Sequence, residues 1–470
     1  MARNCTRGRF LEEAHRSKRI FEMKKKSILV LGAGRSSSAL IKYLLAHAEG
    51  GNWHVTVGDF NVRAAEERIK GSQNGTAIRF NIEEAQSCGE VVASSDVVIS
   101  LLPADFHHKV AGLCLAYGKH LFNASYVSEK MQSFDKEAKE KGLLFMNECG
   151  LDPGIDHMSA MEIIEGIKTK GGKVLSFESF TGGLIAPETD VGNPWRYKFT
   201  WNPRNVVMAG HGTAKFIQEN QYKFISYQQL FSRTTPVHIP DYGNFEGYAN
   251  RDSLKYMDTY GLRGVKTLLR GTLRNEGFCP AWNILVQLGC TDDSYMMENV
   301  GTMTHRDFIN TFLPYDDKEM VEGKLLARFG LDGAGPEMLR LKWSGFFDTE
   351  LVGLTAGTPA QVLEHILNKR WKLAPQDKDM VVMWHRFVYQ LGGKAHEIQS
   401  HIIMQGDDAV DTAMAKGVGL PLGIAAKLFL EGKISQRGVC IPVSKELYGP
   451  LLEELKSLGI HASEVERALL

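Results

Sequence analysis

The sequence predicts an α/β protein, with a doubly wound parallel sheet at its amino-terminal end and a mixed α/β region interrupted by a small helical insert. Three observations carry this expectation. Short apolar runs alternate with helical periodicity from residue 27 to about 150; the first turn of that series is glycine-rich; and from Gly171 longer strand-like runs appear, followed by helical periodicity between Pro280 and about Leu354.

The run Ser27–Leu31 reads as a buried parallel strand, Gly32-Ala33-Gly34 as the tight turn after it, and Arg35–His47 as the helix that packs back. A second strand, Trp53–Val57, leads to Asp59, 25 residues after Gly34. Glycines at such a turn let the backbone approach a pyrophosphate, whose charge the positive helix end then holds, and an acidic residue after the second strand accepts hydrogen bonds from a ribose. The spacing therefore predicts a Rossmann dinucleotide site. Asp59 favours NAD, because a 2′-phosphate beside a carboxylate is repelled, although NADP stays open. Ser37 stands where a third glycine is usual, and the glycine pair also fits a turn that binds nothing.

Further along, a helix is expected near Val62–Lys70, a buried strand at Asp96–Leu102 stopped by Pro103, a helix at His107–Tyr117, a strand at Lys119–Ala124, a helix from Ser128 and a strand at Leu143–Asn147. Ligands of such sheets sit at the carboxyl ends of the strands, so Leu102-Pro103, Ser125-Tyr126 and the run Glu148–Gly154 become candidate sites. Lys173–Phe180 reads as a strand. The aromatic and basic alternation Asn193–Trp201 reads as a half-buried strand, and 248–253 and 270–274 as loops delivering arginines. A strand is expected at Asp379–Val388, a helix at Thr412–Leu430, a short strand at Val439–Val443 and a terminal helix at Lys445–Leu458. The domains expected are a basic, disordered extension 1–26, the Rossmann domain 27–150, a mixed α/β domain 151–279, the helical insert 280–354 and a return, 355–470, to both earlier domains.

Composition narrows the function. Lys+Arg and Asp+Glu number 55 each, so no long-range field draws the chain to nucleic acid or an anionic membrane. No uninterrupted apolar run approaches 18 residues. The seven cysteines are scattered without a CxxC pair, which suggests neither a disulfide framework nor a metal site and fits a reducing cytoplasm. Residues 1–26 carry nine Lys/Arg against three Glu, lack the apolar core of a secretory signal, and contain Met23 as an alternative start.

Taken in order, GAGRSS, ISLLPADFH, NASYVS, NECGLDPGIDHM, GGLIAPE, YKFTW, YANRDS, RGTLR and KDMVVM resemble the glutamate-forming saccharopine dehydrogenases over roughly residues 27–460. The resemblance implies a Rossmann domain, a mixed α/β catalytic and dimerisation domain, a small helical domain, homodimerisation, and oxidation of saccharopine to glutamate and 2-aminoadipate 6-semialdehyde. It implies a dinucleotide held by Gly32, Ala33, Gly34, Arg35 and Ser36, with Asp59, Phe60 and Asn61 at the ribose. Asn81, Ile82, Leu102, Ala124 and Ser125 would extend that site, as would Leu151, Asp152, Pro153 and Phe199. Saccharopine would lie against Ser125, Tyr126, Asp152, Arg251, Thr272, Leu273 and Arg274. Two arginines suit a substrate with three carboxylates, each able to grip one bidentately. In the fungal branch of the family that this chain resembles, a Cys-Arg pair follows the second strand for the 2′-phosphate of NADP, whereas Asp59-Phe60 here resembles the NAD-using animal branch. Ala104 stands where the resemblance implies an aromatic residue after the LLP turn, which would enlarge the site or alter substrate fit.

Asp152 and Tyr126 are the candidate proton-transfer groups, with Glu148 and His157 behind them. Structural readings stand beside these. Asp152 ahead of Pro153 fits a helix N-cap, His157 fits a packed helical position, Arg251 and Arg274 fit surface ion pairs with Asp252 and Glu276, and Phe199 fits the core. Two other functions remain open at this level: a related reductase of the carboxyspermidine type, whose substrate would want acidic residues, and a catalytically silent nucleotide sensor.

Overall fold

The computed structural model describes residues 25–469, and nearly all of the basic extension 1–26 lies outside them. The chain divides into two compact units, the first running to Asn147 and regaining Ala425–Cys440, the second comprising Glu148–Ile424 and Ile441–Leu470.

The first unit is a parallel sheet. Its strands are β1 (Lys26–Leu31), β2 (Trp53–Asp59), β3 (Gly75–Arg79), β4 (Val97–Ser100), β5 (His120–Asn123) and β6 (Leu144–Met146). They lie in the order β6-β5-β4-β1-β2-β3, with Gly438–Cys440 added in parallel beside β6. The central strand β1 is apolar on both faces, and Ile28, Val30 and Leu31 are fully buried, as a strand covered by helices on both sides requires. β3 escapes sequence reading because its residues are only half-buried at the sheet's edge.

The second unit is a mixed sheet built around β7 (Lys173–Ile185). After it come β8 (Ala214–Gln218), β9 (Gln221–Ile225), β10 (Thr235–Ile239), β11 (Gly243–Ala249), β12 (Thr267–Asn275), β13 (Asp379–Leu391) and β14 (Lys394–Gln405). The chain then supplies β15, the Gly438–Cys440 strand already placed, and ends on β16 (Ser463–Ala468). The path of the sheet is β10-β11-β12-β7-β13-β14-β16, with β12 and β7 parallel and the other neighbours antiparallel. Gly392 and Gly393 both hold positive φ, +57° and +82°, as a two-residue hairpin between β13 and β14 demands.

Four expectations give way here. Residues 193–201 form turns rather than a strand, with one isolated bridge between Phe199 and Lys372. Asn193 caps the turn, accepting from Trp195 N–H and donating to Tyr197 O, while Trp195, Tyr197 and Phe199 enter an aromatic core with Phe278, Trp282 and Trp371. The alternation came from burial in the tertiary core, not from a pleat. The segment 270–274 is not a loop but part of β12. The helical stretch continues past Leu354 to the helix Pro359–Trp371, started by a Thr358–Gln361 capping box, and shares one core with the sheet residues Phe180 and Tyr248. The helix Lys445–Ser457 is not terminal, since β16 follows it with all six residues exposed and thus without apolar alternation. The helix Ala413–Leu430 is long and apolar enough to cross a membrane by length and composition, and 67% of it is buried within the protein, as in a core helix.

Candidate active site

In the first unit every strand is parallel, so the segments after the strands share one edge of the sheet. That edge carries Gly32–Ser36 after β1, Asp59-Phe60-Asn61 after β2, Asn81-Ile82 after β3, Leu102 after β4 and Ala124-Ser125-Tyr126 after β5. Gly32 has φ +103°, and a Cβ there would stand 3.1 Å from Leu101 O, so only glycine closes this turn. Around Gly34 nothing lies within 4 Å of a Cβ, and Gly34 and Arg35 are exposed, so the turn is open on this side. Ser37, at the position of the missing third glycine, is buried and donates its hydroxyl to Gly34 O at 2.8 Å.

Asp59 joins two of these loops. Its Oδ2 accepts from Ala33 N–H at 2.7 Å and its Oδ1 from Asn61 N–H at 2.8 Å. Cations surround the same loops. Arg68 donates to Gly34 O at 3.2 Å, and Arg79, paired to both oxygens of Glu84, lies 5.4 Å from the centre of the exposed Phe60 ring.

Beyond β4 and β5 the edge opens into a pocket of about 540 Å³, whose walls include Ala104, Asp105, His107, Asn123, Tyr126 and Lys130. His107 bridges two hydroxyls, with Nδ1 3.0 Å from Ser100 Oγ and Nε2 2.8 Å from Ser125 Oγ. Burial pushes its pKa down to about 4, so the ring is neutral near pH 7.

The second unit begins with a buried ionic network. The helix Ile155–Thr169 starts after Gly154, and Asp156 Oδ1 accepts the Gly154 N–H at 2.7 Å. Asp152 is therefore not its N-cap. Instead Asp152 Oδ1 accepts from Arg270 Nη2 at 3.1 Å, and the same nitrogen pairs with Asp156 Oδ2. The Arg270 guanidinium also stacks 4.3 Å from the centre of the Tyr256 ring. Burial alone would raise the Asp156 carboxyl, but His157, Arg270 and the Gly154 amide together hold it below its ordinary value. Behind this pair, His157 is wholly buried, with Nε2 2.8 Å from Glu148 Oε2 and Nδ1 2.6 Å from Tyr260 OH, and Tyr256 OH donates to Glu148 at 3.1 Å. Burial raises both tyrosine hydroxyls above their ordinary range, so they are protonated donors.

The remaining expected residues are distributed differently. Arg251 is exposed on the loop after β11, with its backbone at φ +55°. Arg274 is not on the surface beside Glu276: it is 3% exposed on β12, enclosed by the rings of Tyr197, Tyr248 and Phe278, and its buried Nε has no hydrogen-bond partner. Leu273 and Phe199 are fully buried, so the Phe199 side chain belongs to the aromatic core and offers no surface to a dinucleotide in this arrangement. Thr272 is half-buried, Leu151 and Pro153 are buried. Sequence reading placed Arg270 in an arginine-delivering loop and assigned neither it nor His107 a role in the site. Reading RGTLR as a strand would have set residues 270, 272 and 274 on one face and marked Arg270 as a partner for an acid. No local signal marks His107. Among the described residues no group of three or more His, Cys, Asp or Glu could hold a metal ion.

The comparisons with known proteins agree with this architecture. The family model described as saccharopine dehydrogenase NADP binding domain matches residues 28–146, and that described as saccharopine dehydrogenase C-terminal domain matches residues 150–460. The saccharopine dehydrogenase (NADP(+), L-glutamate-forming) of Schizosaccharomyces pombe is 32% identical over 93% of this chain and 98% of its own length. The mitochondrial alpha-aminoadipic semialdehyde synthase of Bos taurus is 33% identical over 93% of this chain but only 47% of its own length, so the present chain spans about half of that relative. The apo structure of the histidine-tagged L-Glu-forming saccharopine dehydrogenase of Saccharomyces cerevisiae superposes with a TM-score of 0.85 at 30% identity, over 94% of this chain and all of that one. The amino-terminal unit is thus a nicotinamide-dinucleotide domain, and the chain belongs to the saccharopine dehydrogenase family.

Proposed function

We propose that this chain catalyses the reversible, NAD(P)-dependent oxidation of saccharopine with water to glutamate and 2-aminoadipate 6-semialdehyde. The observation that carries the proposal is a glycine cradle pinned by Asp59 on the carboxyl edge of a parallel sheet, in a chain matched along its length by relatives bearing that name. Gly32–Ser36 would hold the pyrophosphate and Asp59–Asn61 the adenosine ribose, and the nicotinamide, when bound, accepts the hydride. The carbon beside the secondary amine loses that hydride, the resulting imine takes up water, and the carbon–nitrogen bond then breaks to release the two products.

The protein's own part is orientation and proton transfer. Asp152, held by Arg270, is assigned as the acceptor of the proton from the amine or the attacking water, with the Tyr126 hydroxyl as the second proton-transfer group. Arg274 is assigned to a substrate carboxylate because a buried guanidinium nitrogen without an acceptor is otherwise costly, and Arg251 to another. Homodimerisation and residence in a reducing compartment are part of the same proposal; none of the six described cysteines forms a disulfide.

On dinucleotide choice the family description and the yeast relatives' names say NADP. For this chain we assign a preference for NAD, because the Asp59 carboxylate occupies the position that a 2′-phosphate would approach. The test is reduction of NAD+ and NADP+ by the purified protein with saccharopine, with products identified. Release of glutamate supports the assignment, and faster turnover with NAD+ that reverses in Asp59→Ser supports the role of Asp59. Dinucleotide binding without consumption of saccharopine refutes the substrate, and a wild-type preference for NADP+ refutes the NAD assignment.

A further inference from the structure

At the sheet edge of the first unit both the backbone and the hydroxyl of Ser125 are held by hydrogen bonds. Ser125 follows β5, and its backbone N–H donates to Asn123 Oδ1 at 2.9 Å. Asn123 Nδ2 donates to Asn147 Oδ1 at 2.7 Å, and Asn147 Nδ2 donates to Phe145 O at 2.9 Å. The last acceptor is a carbonyl, so the direction of each bond in this series is determined, and the Ser125 backbone is locked. The hydroxyl is held from the other side by His107 Nε2 at 2.8 Å, whose Nδ1 is anchored 3.0 Å from Ser100 Oγ. Ser100 and His107 are buried, Ser125 is half-buried, and His107, Asn123 and Tyr126 line the adjoining pocket.

A neutral imidazole between two hydroxyls has one nitrogen donating and the other accepting, so the ring couples the roles of the Ser100 and Ser125 hydroxyls. Any buried imidazole needs partners for both nitrogens, and here one of the two, Ser125, is half-buried at the strand ends rather than in the core. We infer that His107 is a positioning residue for the proposed reaction: it aims the Ser125 hydroxyl, which hydrogen-bonds the amino-acid portion of the substrate. The inference deepens the saccharopine reading and rests on it.

The experiment uses the full chain and the substitutions Ser125→Ala, His107→Leu, His107→Gln, His107→Asn and the double variant Ser125→Ala/His107→Leu. Steady-state kinetics with saccharopine are measured together with fluorescence titration of the reduced dinucleotide. Ser125→Ala and His107→Leu are each expected to lower kcat/KM about tenfold, the range of one lost hydrogen bond, with any weakening of dinucleotide binding well below that loss. The double variant is expected to lie within about twofold of either single variant, because both remove the same interaction. Glutamine places its terminal amide where Nε2 stood, facing Ser125, whereas asparagine reaches only the Nδ1 position, so His107→Gln is expected to recover most of the activity and His107→Asn little. Additive losses near a hundredfold, equal behaviour of Gln and Asn, or a loss carried by dinucleotide affinity would overturn the inference. Failure of the wild-type chain to consume saccharopine overturns the underlying substrate reading instead, so the two failures are distinguishable.

Discussion

Replacing Arg270 by Met tests the ionic network on which the assignment of Asp152 depends. Arg270 is 7% exposed and is the cation shared by Asp152 and the 2%-exposed Asp156. Methionine retains much of the apolar stem but leaves Asp156 as a buried carboxylate without its guanidinium. Removing one partner of a buried pair costs about 3–5 kcal/mol, and the lost stacking on Tyr256 adds about 1 kcal/mol. Part of that penalty is escaped by protonation, so Asp156 in the variant takes a raised pKa. A carboxyl whose folded pKa is raised binds its proton more tightly when folded, so the variant's deficit is smallest at low pH and grows as pH rises. The assay is denaturant unfolding followed by tryptophan fluorescence between pH 5 and pH 8; Trp195, Trp282 and Trp371 report on the unit that holds Arg270. Arg270→Met/Asp156→Asn should recover most of the stability, since the amide still accepts the Gly154 N–H and the carboxylate left behind, Asp152, is only partly buried. A cost below about 1 kcal/mol for Arg270→Met, a deficit independent of pH, or no recovery in the double variant would refute the reasoning, because the figure for a broken buried pair would then not apply.

Gly32→Ala and Gly34→Ala should separate folding from binding. The first forces φ +103° on alanine with a Cβ 3.1 Å from Leu101 O and is expected to cost about 1–3 kcal/mol along with dinucleotide affinity, whereas the second meets nothing within 4 Å and should spare stability while weakening dinucleotide binding, as calorimetry would show. Trp371→Ala removes a fully buried ring that touches Trp195, Tyr197, Phe199, Phe278 and Trp282, and a loss of about 3–5 kcal/mol is expected from denaturation midpoints. Burial pushes the pKa of both His107 and His385 down to about 4, so between about pH 6.5 and 4 the unfolded chain binds more protons and stability falls with falling pH. Unfolding midpoints across that window should show the fall, and His385→Gln should flatten it.

Much of the fold was legible because local pattern carries it. A parallel strand buried on both faces must be a continuous apolar run, a tight βα turn must carry glycine at positive φ, and an acidic residue must end the next strand if it is to meet the loop; Ser27–Leu31, Gly32 and Asp59 satisfy these requirements within a few dozen residues. Where a strand is solvated or sits at an edge, as in β3 and β16, the apolar signal is absent and nothing local replaces it. The hairpin Gly392-Gly393 carried a turn signal that could have exposed β14.

The partners of buried charges are a different matter. Asp156 and Arg270 are 114 residues apart, Glu148 and Tyr256 are 108 apart, and His157 and Tyr260 are 103 apart. Sequence therefore supplied a chain with a dinucleotide cradle and several arginines, but only tertiary packing assigned Arg270 to Asp152, enclosed Arg274 among aromatic rings and turned 193–201 into core. The physical reason is that hydrophobic period and turn chemistry are properties of neighbours along the chain, whereas the pairing of a desolvated charge depends on which distant groups share its low-dielectric surroundings.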